Sequence, residues 1–128
     1  MPASTAVVNA GRAILTNRII GSGTEPKYVA IGTGTTAVAL TDTTLGGEVE
    51  TRATGTSSRT TTSTTNDTYQ VVGTVTATAS RTIGEVGIFD ASSSGNLFVR
   101  GVLASTVSLA SGDTLTVTAT VQVTSSVI

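Results

Sequence analysis

The sequence predicts a mainly β protein: an antiparallel β-sandwich of about six to seven strands with one N-terminal α-helix. Three observations carry that prediction. Residues 114–124 alternate strictly, with Leu115, Val117, Ala119, Val121 and Val123 on one side and Thr114, Thr116, Thr118, Thr120, Gln122 and Thr124 on the other. Successive side chains of a strand point to opposite faces, so this is a strand with a core face and a hydroxyl face. Residues 68–79 repeat the pattern through Val71, Gly73, Val75, Ala77 and Ala79. Threonine makes up roughly a fifth of the 128 residues, well above ordinary usage; its branched Cβ suits a strand and its hydroxyl keeps an outer face wet.

The helix is predicted over residues 6–20. Val7, Ala10, Ile14 and Leu15 recur at helical spacing, Thr5 is a candidate N-cap, and Gly21 and Gly23 end the segment. Gly11 weakens its middle and permits close packing. Residues 27–32 read as a short buried strand, followed by a Gly, Thr and Asp loop to about residue 44. Residues 47–56 read as an edge strand around Glu48, Val49 and Glu50. Residues 57–67 are almost all Ser, Thr, Asn and Asp; with nothing apolar to bury they predict a mobile loop or hairpin tip. Ile83, Val86, Ile88 and Phe89 form another strand. Asp90 to Asn96 is turn chemistry, and Leu97–Leu103 runs back as the second arm of a hairpin. One domain over residues 1–128 accommodates all of this.

Composition narrows the function. Only Tyr28, Tyr69, Phe89 and Phe98 are aromatic, so the core must be aliphatic, and association is one way to bury more of it. Seven basic residues face eight acidic ones, scattered singly, with no basic run for nucleic acid. No apolar run approaches the ~18–20 residues of a membrane span, and no basic, then apolar, start marks a signal peptide. With neither histidine nor cysteine, the usual general base, nucleophile triads and most zinc sites are excluded. No cofactor and no metal are expected.

Carboxylates remain. Glu48, Glu50, Glu85, Asp90 and Asp113 are the candidates for an enzyme, but Glu48 and Glu50, read as sharing a strand face, suit a polar edge or interface better. Gly32-Thr-Gly34-Thr-Thr-Ala37 matches the dinucleotide pattern G-x-G-x-x-G/A. The following residues are too short and turn-rich for the helix that such a phosphate site requires. Ranks of threonine raise the possibility of ice binding, which needs ranks repeated on adjacent strands; Thr74, Thr76 and Thr78 offer one possible second rank beside Thr114–Thr120.

Four ordered segments resemble a known family. Val8-Asn9-Ala10-Gly11-Arg12-Ala13 with Leu15-Thr16-Asn17 is similar to the start of bacteriophage tail-collar and tail-fibre attachment domains. Tyr28 to Gly34 resembles their strand-then-glycine segment. Thr44 to Arg52 resembles their Leu-x-x-Glu-x-x-x-Arg stretch. Glu85-Val86-Gly87-Ile88-Phe89-Asp90 with Gly95-Asn96-Leu97 resembles their Glu-x-Gly-Leu-Phe-Asp … Gly-x-Leu hairpin. The resemblance implies a non-catalytic virion component assembled in the host cytoplasm, β-rich and usually a homotrimer. The short chain favours a capsid decoration (cement) protein bound to the major capsid protein. The alternative is a tail or baseplate connector or a fibre-attachment protein.

The expected contact residues are Arg12 and Arg18 on the polar side of the helix, and Arg52 with Glu48 and Glu50 as an intersubunit patch. Glu85 lies between the core residues Ile83, Val86 and Ile88, so it either faces solvent or is held by a partner such as Arg52 or Arg81.

Overall fold

The computed structural model describes residues 3–127. The chain opens with strand β1 (Ser4–Val7) and helix α1 (Asn9–Ile19). Seven strands follow: β2 (Tyr28–Gly32), β3 (Glu48–Thr54), β4 (Thr56–Thr60), β5 (Thr68–Thr76), β6 (Arg81–Phe89), β7 (Leu97–Leu109) and β8 (Thr114–Gln122). They form a five-stranded sheet, ordered β1-β7-β6-β2-β3, and a three-stranded sheet, ordered β4-β5-β8. Every neighbouring pair is antiparallel. The antiparallel β-sandwich with an N-terminal helix is therefore as expected.

The chain crosses between sheets at Gly55, the single residue separating β3 from β4. Its N–H donates to the Lys27 carbonyl at 2.7 Å, which pins the corner. Between the sheets lies an aliphatic core of Val29, Ile31, Val71, Val75, Ile83, Ile88 and Val117, with Phe98 and Leu109. Tyr69 and Phe98 meet edge to face, ring centres 6.0 Å apart.

The large sheet is buried on its other face too. There Val8, Ala30, Leu45, Phe89 and Leu97 form a second cluster, on the side where the 33–46 loop packs. Both faces of β6 are thus covered. A register break lets β6 serve both. Ile83 pairs with Val107, but Glu85 pairs with Val102, so one residue of β6 opposes four of β7. Across this bulge the side-chain alternation changes phase. Ile83 points into the inter-sheet core, whereas Glu85 and Phe89 face the loop.

Three expectations about boundaries change. Residues 4–7 are not helical: they pair with Val99–Val102 of β7, and Val7 is apolar because it is a strand residue. The helix begins at Asn9 with Val8 in the capping position and no side-chain cap, so Thr5 has no capping role. The first four residues of the 57–67 segment belong to strand β4, held by its ladder to β5 rather than by apolar burial. The remaining tip is gathered by Asp67, whose carboxylate accepts the N–H groups of Thr62, Ser63 and Thr64.

The threonine ranks are real but discontinuous. Thr74 opposes Thr116 and Thr76 opposes Thr114, but Val72 and Gln70 face Thr118 and Thr120. The second strand therefore lacks the regular rank that ice binding requires.

Candidate functional site: a buried carboxylate in a glycine cradle

The most deeply buried charged pair among the described residues is centred on Glu85, whose side chain is fully buried. Its Oε2 accepts the N–H groups of Gly34 and Gly47, both at 2.7 Å. Its Oε1 accepts the Gly46 N–H at 2.8 Å and Arg100 Nε at 2.9 Å. Arg100, on β7 and itself buried, completes the network: Nη1 reaches Asp42 Oδ2 at 3.0 Å and Nη2 reaches the Thr36 carbonyl at 3.0 Å. Asp42 Oδ2 also accepts the Ala39 N–H at 2.9 Å.

The local sequence explains why the loop can close so tightly. A Cβ on Gly34 would overlap Glu85 Oε2 and lie 2.7 Å from the carboxyl carbon, closer than such atoms can approach. Only glycine lets the carboxylate reach the main chain here. Three converging N–H groups are what a phosphate site would offer. In this protein the anion they hold is its own glutamate. Gly34 of the G-x-G-x-x-A match thus joins Gly46 and Gly47 in an anion cradle already filled from within.

Burial pushes the Glu85 carboxyl up, but the N–H groups of Gly46, Gly47 and Gly34 and the Arg100 guanidinium outweigh it and hold it below the ordinary value of 4.5. No buried side-chain nitrogen or oxygen among the described residues lacks a partner. Both oxygens of the Glu85 carboxylate are each engaged by two donors from within the protein. No group of three or more acidic residues is placed to hold a metal among the described residues.

The other expected contact residues divide among different places. Glu48 and Glu50 do not share a partner or a face. The β2–β3 register jumps between Val29↔Ala53 and Ile31↔Val49, and Glu50 takes a φ of 67° in that irregularity. Its carboxylate therefore turns to Thr78 and Arg81, accepting the Thr78 N–H at 2.7 Å, the Thr78 hydroxyl at 2.7 Å and Arg81 Nε at 3.1 Å. Arg52 pairs instead with Glu48 through Nε at 2.8 Å and Nη2 at 3.0 Å. Its Nη1 donates to the carbonyls of Ala91 and Ser94, and its guanidinium lies 3.5 Å above the Phe89 ring. Arg52 thereby fastens the β6–β7 turn to β3. Neither Arg52 nor Arg81 is the partner of Glu85; Arg100 is.

Arg12 and Arg18 are exposed on α1, and Arg18 Nη1 donates to the Gly23 carbonyl at 2.8 Å beyond the helix end. Arg100, Asp42, Gly34, Gly46 and Gly47 were not foreseen from the sequence as one site. The available signal was Arg100 itself, a charge inside the apolar run Leu97–Leu103. It mirrors the charge of Glu85 inside the run of β6.

Depressed carboxyl groups make stability depend on acid. Hydrogen bonds from the Thr78 hydroxyl and N–H, with Arg81, hold Glu50 down to about 2 from 4.5. Glu85 is lowered in the same direction. The folded state thus binds fewer protons than the unfolded chain, so stability is fully present above the unfolded value and is lost as pH falls through the folded one. We expect a melting temperature that is flat from about pH 8 to 5, because the chain has no histidine to titrate there. It should then fall steadily from 4.5 towards 2. Circular dichroism melts across this range check it. A melting temperature unchanged at about pH 3 would contradict the assignment of these groups as ionised partners.

The family model described as Podophage GP4 fiber I protein gp80 matches residues 13–125, a span that contains every residue of the Glu85 site. The chain belongs to this family. As a gp80-family fibre protein it is a structural component of a phage virion. No curated protein and no solved structure matches the chain. Membership in a fibre family gives no support to the capsid-decoration reading, which leaned on chain length.

Proposed function

We propose that this gp80-family chain is a non-catalytic fibre-attachment protein, a rigid adapter that docks through the end of α1 onto a tail or baseplate protein. One observation carries the docking: the last turns of the helix leave three large apolar side chains uncovered among its polar ones. Ile19 and Ile20 are 76% and 78% exposed, and Leu15 is 40% exposed. Arg12, Leu15 and Ile19 stand at i, i+3 and i+7, so they share one face. Arg18 lies beside them, and Val123, 60% exposed, continues the apolar surface at the end of β8. The partner is thus expected to be apolar with acidic groups at its margin. A homotrimer about the fibre axis, which the tail-fibre resemblance implies, belongs to this proposal and would present three such helices at once, gaining avidity from repeated modest contacts.

The test is to mix gold-labelled protein with phage particles lacking it and locate the label by electron microscopy. Label on the tail or baseplate is the expected result. The Ile19→Asp/Ile20→Asp double variant should lose roughly tenfold or more of the binding, about 1.4 kcal/mol or above. Its melting temperature should fall only slightly, because both side chains already face solvent and the cost is that of two carboxylates at the negative end of the helix. Label on the head would transfer the reading to capsid decoration with the major capsid protein as partner. Undiminished binding by the variant would rule out the helix as the docking surface.

A further inference from the structure

An antiparallel sandwich has four edges, and exposed edges invite pairing with other chains unless something blunts them. Three edges here are blunted. Strand β1 has 4 residues, and β4 has 5 and carries Arg59. Strand β3 carries Glu48, Glu50 and Arg52 and is broken by the register irregularity at Glu50. Strand β8 has none of these protections. It runs 9 residues in unbroken register with β5, contains no charge, proline or glycine, and has no partner on its outer side among the described residues.

Its sequence also reads alike in both directions. Thr-Leu-Thr-Val-Thr-Ala-Thr-Val-Gln is symmetric in character about Thr118. Laid antiparallel on a second β8, Thr116 would oppose Thr120, Val117 would oppose Ala119, and Leu115 would oppose Val121. Hydroxyls would meet hydroxyls and aliphatics would meet aliphatics, which are favourable cross-strand pairs, and no like charges would face each other. Leu115, Ala119 and Val121 are only half-buried in the single chain. Beside them runs a groove of about 480 Å³, bordered across the sandwich by Val99, Leu103 and Val107.

We propose that β8 is a self-association edge, through which two copies of this chain join antiparallel about a two-fold axis at Thr118. The two small sheets then become one six-stranded sheet, and the partner's aliphatic row extends over the groove. The interface is isologous, each copy giving and receiving the same contacts. It uses neither α1 nor the Glu85 site, and it meets the docking surface only at the end of β8, where Val121 and Val123 lie beside Leu15. Combined with three-fold assembly it gives six copies.

Light scattering on the purified full chain tests this. The expected mass corresponds to an even number of copies. Thr118→Lys places two ammonium groups against each other on the axis while leaving an already exposed position exposed, and should halve the mass. Thr118→Glu should do the same. An equimolar mixture of the two variants should restore the original mass, because Lys then faces Glu; this rescue would not follow from a folding defect. A wild-type monomer or trimer, or an even assembly whose mass Thr118→Lys leaves intact, would overturn the proposal. A trimer would still be compatible with fibre attachment.

Discussion

Glu85→Ala is expected to lower the stability of the protein by about 3–5 kcal/mol, the usual consequence of breaking a buried ion pair by removing one partner. The substitution strands Arg100 beneath the surface with only Asp42 as counter-charge, and it orphans the N–H groups of Gly34, Gly46 and Gly47. Buried donors left unmade carry their full desolvation cost, about 1–3 kcal/mol each before water enters. Against a typical total of roughly 5–15 kcal/mol, this is a large share. The melting temperature should fall by about 10–20 °C. A second measurement separates the charge pair from the cradle. If much of the loss comes from the stranded guanidinium, Glu85→Ala/Arg100→Met should melt higher than Glu85→Ala alone. A Glu85→Ala protein that melts within about 2 °C of the parent would show that the network does not hold the loop.

Gly11→Ala should reverse the ordinary sign of such a change. In the middle of a helix, alanine is better than glycine by about 1 kcal/mol. Here the new methyl would overlap the Phe98 carbonyl oxygen and lie 2.9 Å from its carbonyl carbon. Those atoms are main chain of a buried strand and cannot rotate away. The helix must lift from β7, losing the Ile14 contact with the core. We expect destabilisation of about 1–3 kcal/mol or more, seen as a lower urea midpoint with the slope unchanged. A midpoint that rises would mean the helix is free to shift.

The fold was legible in the sequence where each residue had one job. Strand β8 has a core side and a wet side, so its alternation was plain. Strand β6 has two buried sides and a bulge between Ile83 and Glu85, so its residues show no clean period and Glu85 looked like a misfit among core positions. Strand β4 was hidden for the opposite reason. Its Ser and Thr bury little, and what holds it is a ladder to β5 that composition does not display. Val7 fitted a helical spacing by coincidence while belonging to β1. The cradle was the hardest part to see. Its glycines were visible singly, and Gly34 even matched a nucleotide-binding pattern. Nothing local says that the anion they await comes from the chain itself, on a strand far along the sequence.

That distance has a consequence in time. The Glu85 carboxylate meets N–H groups from 51, 39 and 38 positions away in the chain. Contacts between such remote segments require large loops to close, and we expect this one to form late in folding. Interactions absent from the transition state act almost wholly on the rate of unfolding. The buried carboxylate is therefore a latch rather than a nucleus: without it the chain should still reach its fold at nearly the same speed, but leave it sooner. A virion part must survive long outside a host, where nothing refolds or replaces it. For such a part, a slow exit is the form of stability that counts.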